Sequence, residues 1–170
     1  MELEKYIRDI PDFPKPGIVF KDISPLLADP KAFSYLLEVF AQKYKDCNVT
    51  KVCGIEARGF IFGAALAQKM GVGFVPIRKA GKLPYKTFKR EYALEYGTDC
   101  IEVHQDAVKK GEKVLLIDDL VATGGTALAA VELLEEIGAD LVAVAFVIEL
   151  TFLKAADKFD SKKYFSLLKY

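Results

Sequence analysis

The sequence predicts an α/β fold: one domain over residues 1–170 with an open, mostly parallel twisted sheet flanked by helices. Three observations carry this expectation. Short apolar runs of strand length alternate with longer segments whose apolar residues recur at helical spacing. Gly71 and Gly138 stand where two such helices should stop. Apolar residues make up 52% of the chain, and Leu141 to Leu150 is apolar almost throughout, as a strand covered on both faces would be.

Taken in order, Met1 to Ile10 mixes charged with apolar residues and lacks the apolar core of a signal peptide, which points to a cytoplasmic protein. Asp29 is placed to cap a helix with Pro30 at its first position, and Phe33, Leu36, Leu37, Phe40 and Tyr44 follow at helical spacing. Val52 to Ile55 reads as a short buried strand, Phe60 to Met70 as a helix, and Gly73 to Ile77 as a second strand. A strand, a helix and a strand make a parallel pair. Arg78 to Tyr96 turns polar and basic around Gly81 and Pro84, a long exposed loop ending in a short ribbon at Tyr92 to Tyr96. His104, the one histidine, falls on an expected helix start away from every motif, where a structural or exposed role outweighs catalysis. Lys113 to Ile117 reads as a strand, Thr126 to Ile137 as a helix, and Leu141 to Leu150 as the covered strand. Ligands of such sheets gather beyond the carboxyl ends of strands, so chemistry is expected after Ile55, Ile77 and Ile117.

Composition narrows the function classes. Lysine plus arginine equals aspartate plus glutamate at 24 each, so no whole-chain field draws the protein to nucleic acid or to an anionic membrane. Any anion site must be local. No apolar run is long enough to span a bilayer. Cys47, Cys53 and Cys100 are odd in number and lack C-x-x-C spacing, which supports neither a disulfide framework nor a zinc site and leaves buried, inert thiols.

The most informative segment is Val114-Leu115-Leu116-Ile117-Asp118-Asp119-Leu120-Val121-Ala122-Thr123-Gly124-Gly125-Thr126, an apolar strand running into two acids, a glycine turn and a helix. Gly124 and Gly125 let a ligand approach the main chain, and Thr123 and Thr126 add hydroxyl donors. Amide N–H groups at the helix start converge with the helix dipole on one place, which suits a phosphate monoester. Asp118 and Asp119 can accept hydrogen bonds from sugar hydroxyls or help to hold magnesium. The plainer reading, in which these residues only turn the chain and cap a helix, uses the same chemistry. The segment is neither a P-loop nor a dinucleotide fingerprint, because the glycine spacings of both are absent.

An apolar strand followed by Asp-Asp-Leu-x-Ala-Thr-Gly-Gly-Thr resembles the phosphoribosyl diphosphate signature of type I phosphoribosyltransferases. Further stretches resemble the adenine-specific branch of that family: Pro11 to Ile23, Glu56-Ala57-Arg58-Gly59-Phe60, Arg78 to Pro84, and Leu94 to Asp99. The likeness runs from about residue 10 to the end, with Lys21 and Ile61 as mild departures.

The resemblance implies a small N-terminal hood at about 1–35 and a catalytic core at about 36–170. It implies that Ala122, Thr123, Gly124, Gly125 and Thr126 hold the 5-phosphate while Asp118 and Asp119 meet the ribose hydroxyls. Glu56 to Gly59 would form a diphosphate loop, with a cis peptide between Glu56 and Ala57, and Arg58 would give charge-assisted hydrogen bonds. Arg78, Lys79 and Lys82 would make a second diphosphate clamp. Adenine would lie between Phe20 and Leu120, read by main-chain groups at Val19 and Lys21, and Glu95 would handle the proton at the base. Magnesium, carried mainly by the diphosphate and with no direct protein ligands, is the implied cofactor. Adenine and 5-phosphoribosyl 1-diphosphate are the implied substrates and a homodimer the implied assembly, with no nucleic-acid or membrane partner. A phosphoribosyltransferase for another purine, or a non-catalytic regulator that binds the diphosphate, are the alternatives.

Overall fold

The computed structural model describes residues 1–93, 97–161 and 163–170, and the chain divides into two compact units, residues 1–43 and 44–170. In the first unit a 3-10 turn, Leu3–Tyr6, leads into strands β1 (Arg8–Pro11) and β2 (Val19–Asp22), which form an antiparallel ribbon with Arg8 opposite Asp22. Helices α1 (Ser24–Ala28) and α2 (Pro30–Tyr44) follow. Asp22 fixes the turn from ribbon to helix: one carboxylate oxygen accepts Ser24 Oγ at 2.6 Å and the Ser24 N–H at 2.8 Å, and the other accepts Arg8 at 2.6 Å. Those Ser24 bonds, then Arg8, lower the Asp22 pKa to about 2. Asp29 caps α2 as its sequence position predicts, taking the N–H groups of Lys31 at 2.9 Å and Ala32 at 2.8 Å. Leu36, Phe40 and Tyr44, a helical turn apart, are buried.

The second unit carries β3 (Lys51–Ile55), α3 (Gly59–Met70), β4 (Gly73–Lys79), β5 (Thr87–Ala93), β6 (Thr98–His104), β7 (Lys113–Val121), α4 (Gly125–Glu136), β8 (Asp140–Glu149) and β9 (Tyr164–Lys169). They build a seven-stranded sheet in the order β5-β6-β4-β3-β7-β8-β9. The neighbours from β4 through β9 are parallel, while β6 joins β4, and β5 joins β6, antiparallel. The expected α/β architecture with a mostly parallel sheet is what forms. Val52, Leu115, Leu116, Ile117, Ala145 and Phe146 in the central strands are almost fully buried, as both-face coverage demands. With β4 on one side of β3 and β7 on the other, the chain leaves β3 at a point where strand order reverses, the usual place for a ligand crevice.

The structure corrects the sequence reading in several places. The expected loop beyond Arg78 is shorter and the ribbon longer: β4 runs to Lys79, and β5 pairs with β6 from Thr87 to Ala93, while Leu94 to Tyr96 of the expected ribbon lie outside the described residues. His104 closes β6 and does not start a helix; its ring packs edge-on against Tyr85 at 6.1 Å between centroids. Strand β7 extends through both acids to Val121, because pairing with β8 continues from Asp118 opposite Phe146 to Val121 opposite Glu149. Strand β9, for which no expectation was raised, adds a parallel edge. Of the thiols only Cys53 is buried, and burial raises its pKa; Cys47 and Cys100 are partly exposed.

Candidate active site

A cleft of about 300 Å³ opens in the second unit beyond the carboxyl ends of β3, β4 and β7. Its lining is Ile55 and Glu56 after β3, Lys79 at the end of β4, Asp118 and Leu120 on β7, and Val121 to Ala127 around the start of α4. Of the predicted site residues, Lys79, Asp118, Leu120, Ala122, Thr123, Gly124, Gly125 and Thr126 meet in it.

The floor of the cleft follows from local backbone chemistry. Gly124 is the N-cap of α4 with φ 81°, a left-handed conformation that side chains disfavour, and no side chain caps the helix there. The first-turn N–H groups have no partner within the helix by geometry, so they face the cleft with the positive end of the dipole. Lys158 Nζ holds the outer side of the turn, donating to the Thr123 carbonyl at 2.7 Å.

Beside this turn, Asp118 and Asp119 adjoin on β7, and Asp118 accepts the Asp119 N–H at 2.9 Å. Burial, and then repulsion from Asp119, raises the Asp118 pKa well above the ordinary carboxylate value. Burial also raises Asp119, against the opposing pull of Arg58, whose Nε lies 2.8 Å from it. Gly59 at the start of α3 approaches so closely that a Cβ there would lie 2.6 Å from an Asp118 oxygen, which explains glycine at that position.

The cations around the cleft are each matched to a carboxylate. Glu56, with a side chain only 6% exposed, takes Arg78 Nε and Lys82 Nζ at 2.8 Å each and the Lys79 N–H at 2.9 Å. Burial acts to raise its pKa, but the bonds from Lys82, Arg78 and Lys79 outweigh that and hold it below the ordinary value. Lys79 Nζ is paired with Asp99. Arg78 and Lys82 thus border the cleft through Glu56, while Arg58 and its partner Asp119 are not part of its lining. The Glu56–Ala57 peptide is cis.

In the first unit, Phe20 sits on the ribbon edge-on to Phe13 with centroids 5.2 Å apart, and Val19 is 48% exposed. The Lys21 side chain is not idle, since its ammonium lies 2.6 Å from Asp9 across the ribbon. Glu95 lies outside the described residues.

Three residues take parts that the sequence does not assign to them: Glu56 as the hub of the clamp, and Tyr92 with Asp99 beside Lys79. Glu56 had a local signal, its place directly after a strand in the Glu-Ala-Arg-Gly stretch. Tyr92 and Asp99 fall in the expected ribbon and in the Leu94 to Asp99 stretch, but the hairpin register that pairs them is not legible along the chain.

Comparison with known proteins agrees with this geometry. The phosphoribosyl transferase domain family matches residues 24–169. The adenine phosphoribosyltransferase of Geotalea uraniireducens is 54% identical over 169 residues, covering 99% of each chain. Among solved structures, the adenine phosphoribosyltransferase of Thermoanaerobacter pseudethanolicus superposes with a TM-score of 0.94 at 50% identity, covering 99% of this chain and 98% of that one. The Saccharomyces cerevisiae enzyme, solved with adenine and an imino-altritol bisphosphate, gives 0.93 at 42% identity, covering 98% and 97%. An acid pair leading into a glycine-opened helix start, on a sheet shared along its whole length with these relatives, places the chain in the phosphoribosyltransferase family, among the adenine phosphoribosyltransferases.

Proposed function

We infer that the chain joins adenine to 5-phosphoribosyl 1-diphosphate, giving AMP and pyrophosphate in purine salvage. The observation that carries this is the convergence, in one cleft, of a phosphate-seeking helix start, Asp118 and Lys79, with Asp119 next to Asp118 on β7. Ala122 to Thr126 hold the 5-phosphate, the two acids accept from the ribose hydroxyls, and Arg58, Arg78, Lys79 and Lys82 receive the diphosphate. For the base, Leu120 offers an apolar face within the cleft, and the resemblance adds the Phe20 ring and backbone groups at Val19 and Lys21 as adenine contacts. N9 bonds to C1 as the bond from C1 to the diphosphate oxygen breaks, with inversion. The electron pair leaves on pyrophosphate, where the basic cluster stabilises it, and Glu95 takes the proton from the base.

Magnesium fits the donor set as an ion brought by the diphosphate. Asp118 and Asp119 offer hard oxygens, but one is shared with the Asp119 N–H and another with Arg58, so most ligands of such an ion would come from substrate and water. A magnesium ion bound there would supply positive charge against the departing pyrophosphate. A homodimer and a cytoplasmic location accompany this reading. Exposed apolar side chains such as Ile61 and Phe152 are consistent with a subunit contact, and sedimentation of the purified chain as a monomer would remove the dimer. Among the described residues no helix is long and apolar enough to cross a membrane.

The test is incubation with magnesium, phosphoribosyl diphosphate and each purine base separately, with nucleotide formation measured. AMP from adenine is expected; preferential turnover of hypoxanthine, guanine or xanthine would move the chain to another base, and binding without turnover would make it a regulator. The same assay on two variants tests the base contacts. Phe20→Ala should raise the adenine KM by roughly 5- to 100-fold, as lost base stacking does elsewhere, with little change for phosphoribosyl diphosphate. Glu95→Gln should cut turnover by about 10²-fold or more if the carboxylate is the proton acceptor. Turnover close to the parent's, with the same pH profile, would leave Glu95 no catalytic part.

A further inference from the structure

The hydroxyl of Tyr92 lies behind the cleft with its hydrogen-bonding capacity filled. It accepts from Lys79 Nζ at 3.1 Å and from Thr126 Oγ1 at 3.2 Å, and donates to Asp99 Oδ2 at 3.2 Å. A phenol has one proton and two lone pairs, so this is its whole complement. Four elements meet there: β4 supplies Lys79, β5 Tyr92, β6 Asp99 and α4 Thr126. The hairpin sets the geometry, since Tyr92 and Asp99 are directly opposite in its register. Lys79 and Thr126 line the cleft; Tyr92 and Asp99 are not part of its lining.

Lys79 therefore has two anions competing for one ammonium, Asp99 behind it and any diphosphate in front. The Thr126 hydroxyl gives its one proton to Tyr92, which fixes the side chain, so this residue meets a 5-phosphate through its backbone N–H. We propose that Tyr92 is a positioning residue that ties the diphosphate cation Lys79 to the 5-phosphate turn at Thr126, with Asp99 as the resident anion that diphosphate displaces from Lys79. The proposal rests on the reading of the cleft as a phosphoribosyl diphosphate site. It adds a physical link between the two ends of that substrate.

The two residues predict effects of opposite sign. Without the Tyr92 hydroxyl, Lys79 swings freely on Asp99 and Thr126 loses the bond that fixes its place in the phosphate turn, so binding at both ends weakens. Without the Asp99 charge, Lys79 stays on the Tyr92 hydroxyl and meets no competing anion, so diphosphate binds more tightly. The experiment is calorimetric titration of the parent, Tyr92→Phe and Asp99→Asn with magnesium pyrophosphate and, separately, with ribose 5-phosphate. Tyr92→Phe is expected to weaken pyrophosphate about ten-fold, the scale of one hydrogen bond to a charged group, and to weaken ribose 5-phosphate by a smaller factor. Asp99→Asn should tighten pyrophosphate about three-fold, the scale of a partly exposed ion pair, and leave ribose 5-phosphate unchanged. In turnover, Tyr92→Phe should raise the KM for phosphoribosyl diphosphate and leave that for adenine in place, a split that general loosening of the fold does not produce.

Unchanged ribose 5-phosphate binding in Tyr92→Phe would break the link to Thr126, and weaker pyrophosphate binding in Asp99→Asn would refute the competition. Should Tyr92→Phe lower the melting temperature, Asp99→Asn decides alone, because its expected gain in affinity cannot come from damage. Neither titration contains adenine. A parent that binds both ligands but makes no AMP loses only its base assignment, whereas a parent that binds neither loses the inference too.

Discussion

Burial and the charge of Asp119 both make an ionised Asp118 costly to the folded chain, yet its carboxylate is what a ribose hydroxyl would seek. The sign of the pH dependence follows. The folded pKa is raised, so the cost is absent below the unfolded value near 4, grows as pH rises past it, and is complete above the folded pKa. Asp118→Asn keeps an oxygen to accept the Asp119 N–H but removes the charge. It should gain about 1 kcal/mol in urea unfolding at pH 8 and close to nothing at pH 4, while losing affinity for phosphoribosyl diphosphate. A variant less stable than the parent at pH 8 would mean that the carboxylate is better stabilised than its surroundings indicate. Asp22 has the opposite sign. Its pKa of about 2 makes it stabilising above the unfolded value, and that support is lost as pH falls from about 4 toward 2.

At the level of elements, the α4 start separates two adjacent glycines that look equivalent in sequence. Gly124 has φ 81°, and a Cβ on it would press to 3.3 Å against Ala155 and the Phe159 ring. Gly125 is helical, with nothing closer to its Cβ than the Ala93 carbonyl at 3.8 Å. Gly124→Ala should therefore cost roughly 1–3 kcal/mol in chemical denaturation and weaken ribose 5-phosphate, whereas Gly125→Ala should fold at least as stably as the parent. Equal losses from both would show that glycine serves ligand approach and not backbone shape. The same contrast explains what was legible beforehand. Helices α2, α3 and α4 and the central strands announce themselves by local periodicity, and the phosphate turn is contiguous, so fold class and cradle could be read along the chain. The β5–β6 hairpin was hidden because Ile101, Glu102 and Val103 are buried in succession, with Glu102 accepting the Gly81 N–H and pairing with Lys89, so the alternation expected of a ribbon fails. Strand β9 was hidden because 3-10 turns at Thr151–Leu153 and Ala155–Lys158, not a helix, return the chain to the sheet. The Glu56 hub depends on contacts between segments distant in sequence, and the Tyr92–Asp99 pair on the register of the hairpin, neither of which shows along the chain.

Across the whole molecule, positive and negative side chains balance at 24 each, so a multiply charged substrate feels no net attraction at long range. The attraction must come from the cluster of Arg58, Arg78, Lys79 and Lys82, and each of these is already matched to an acid of the chain. Arg78 and Lys82 share Glu56, so at a distance the cluster carries little net charge, and within a few ångströms the cations can turn toward a ligand. Salt should therefore act only over the last part of the approach, where the screening length of about 10 Å at 0.1 M is comparable with the size of the cleft. Raising sodium chloride from roughly 0.02 to 0.5 M, with free magnesium held constant, should lower kcat/KM for phosphoribosyl diphosphate by about ten-fold, at the low end of electrostatic steering effects. Adenine is uncharged, so its KM at saturating phosphoribosyl diphosphate should stay nearly constant over the same range. An unfolding midpoint followed in parallel separates this from salt effects on the fold, because exposed ion pairs add little to stability. Equal salt sensitivity for the two substrates would place the effect in the chemical step or in the protein's conformation, and would remove the cation cluster as the source of diphosphate affinity.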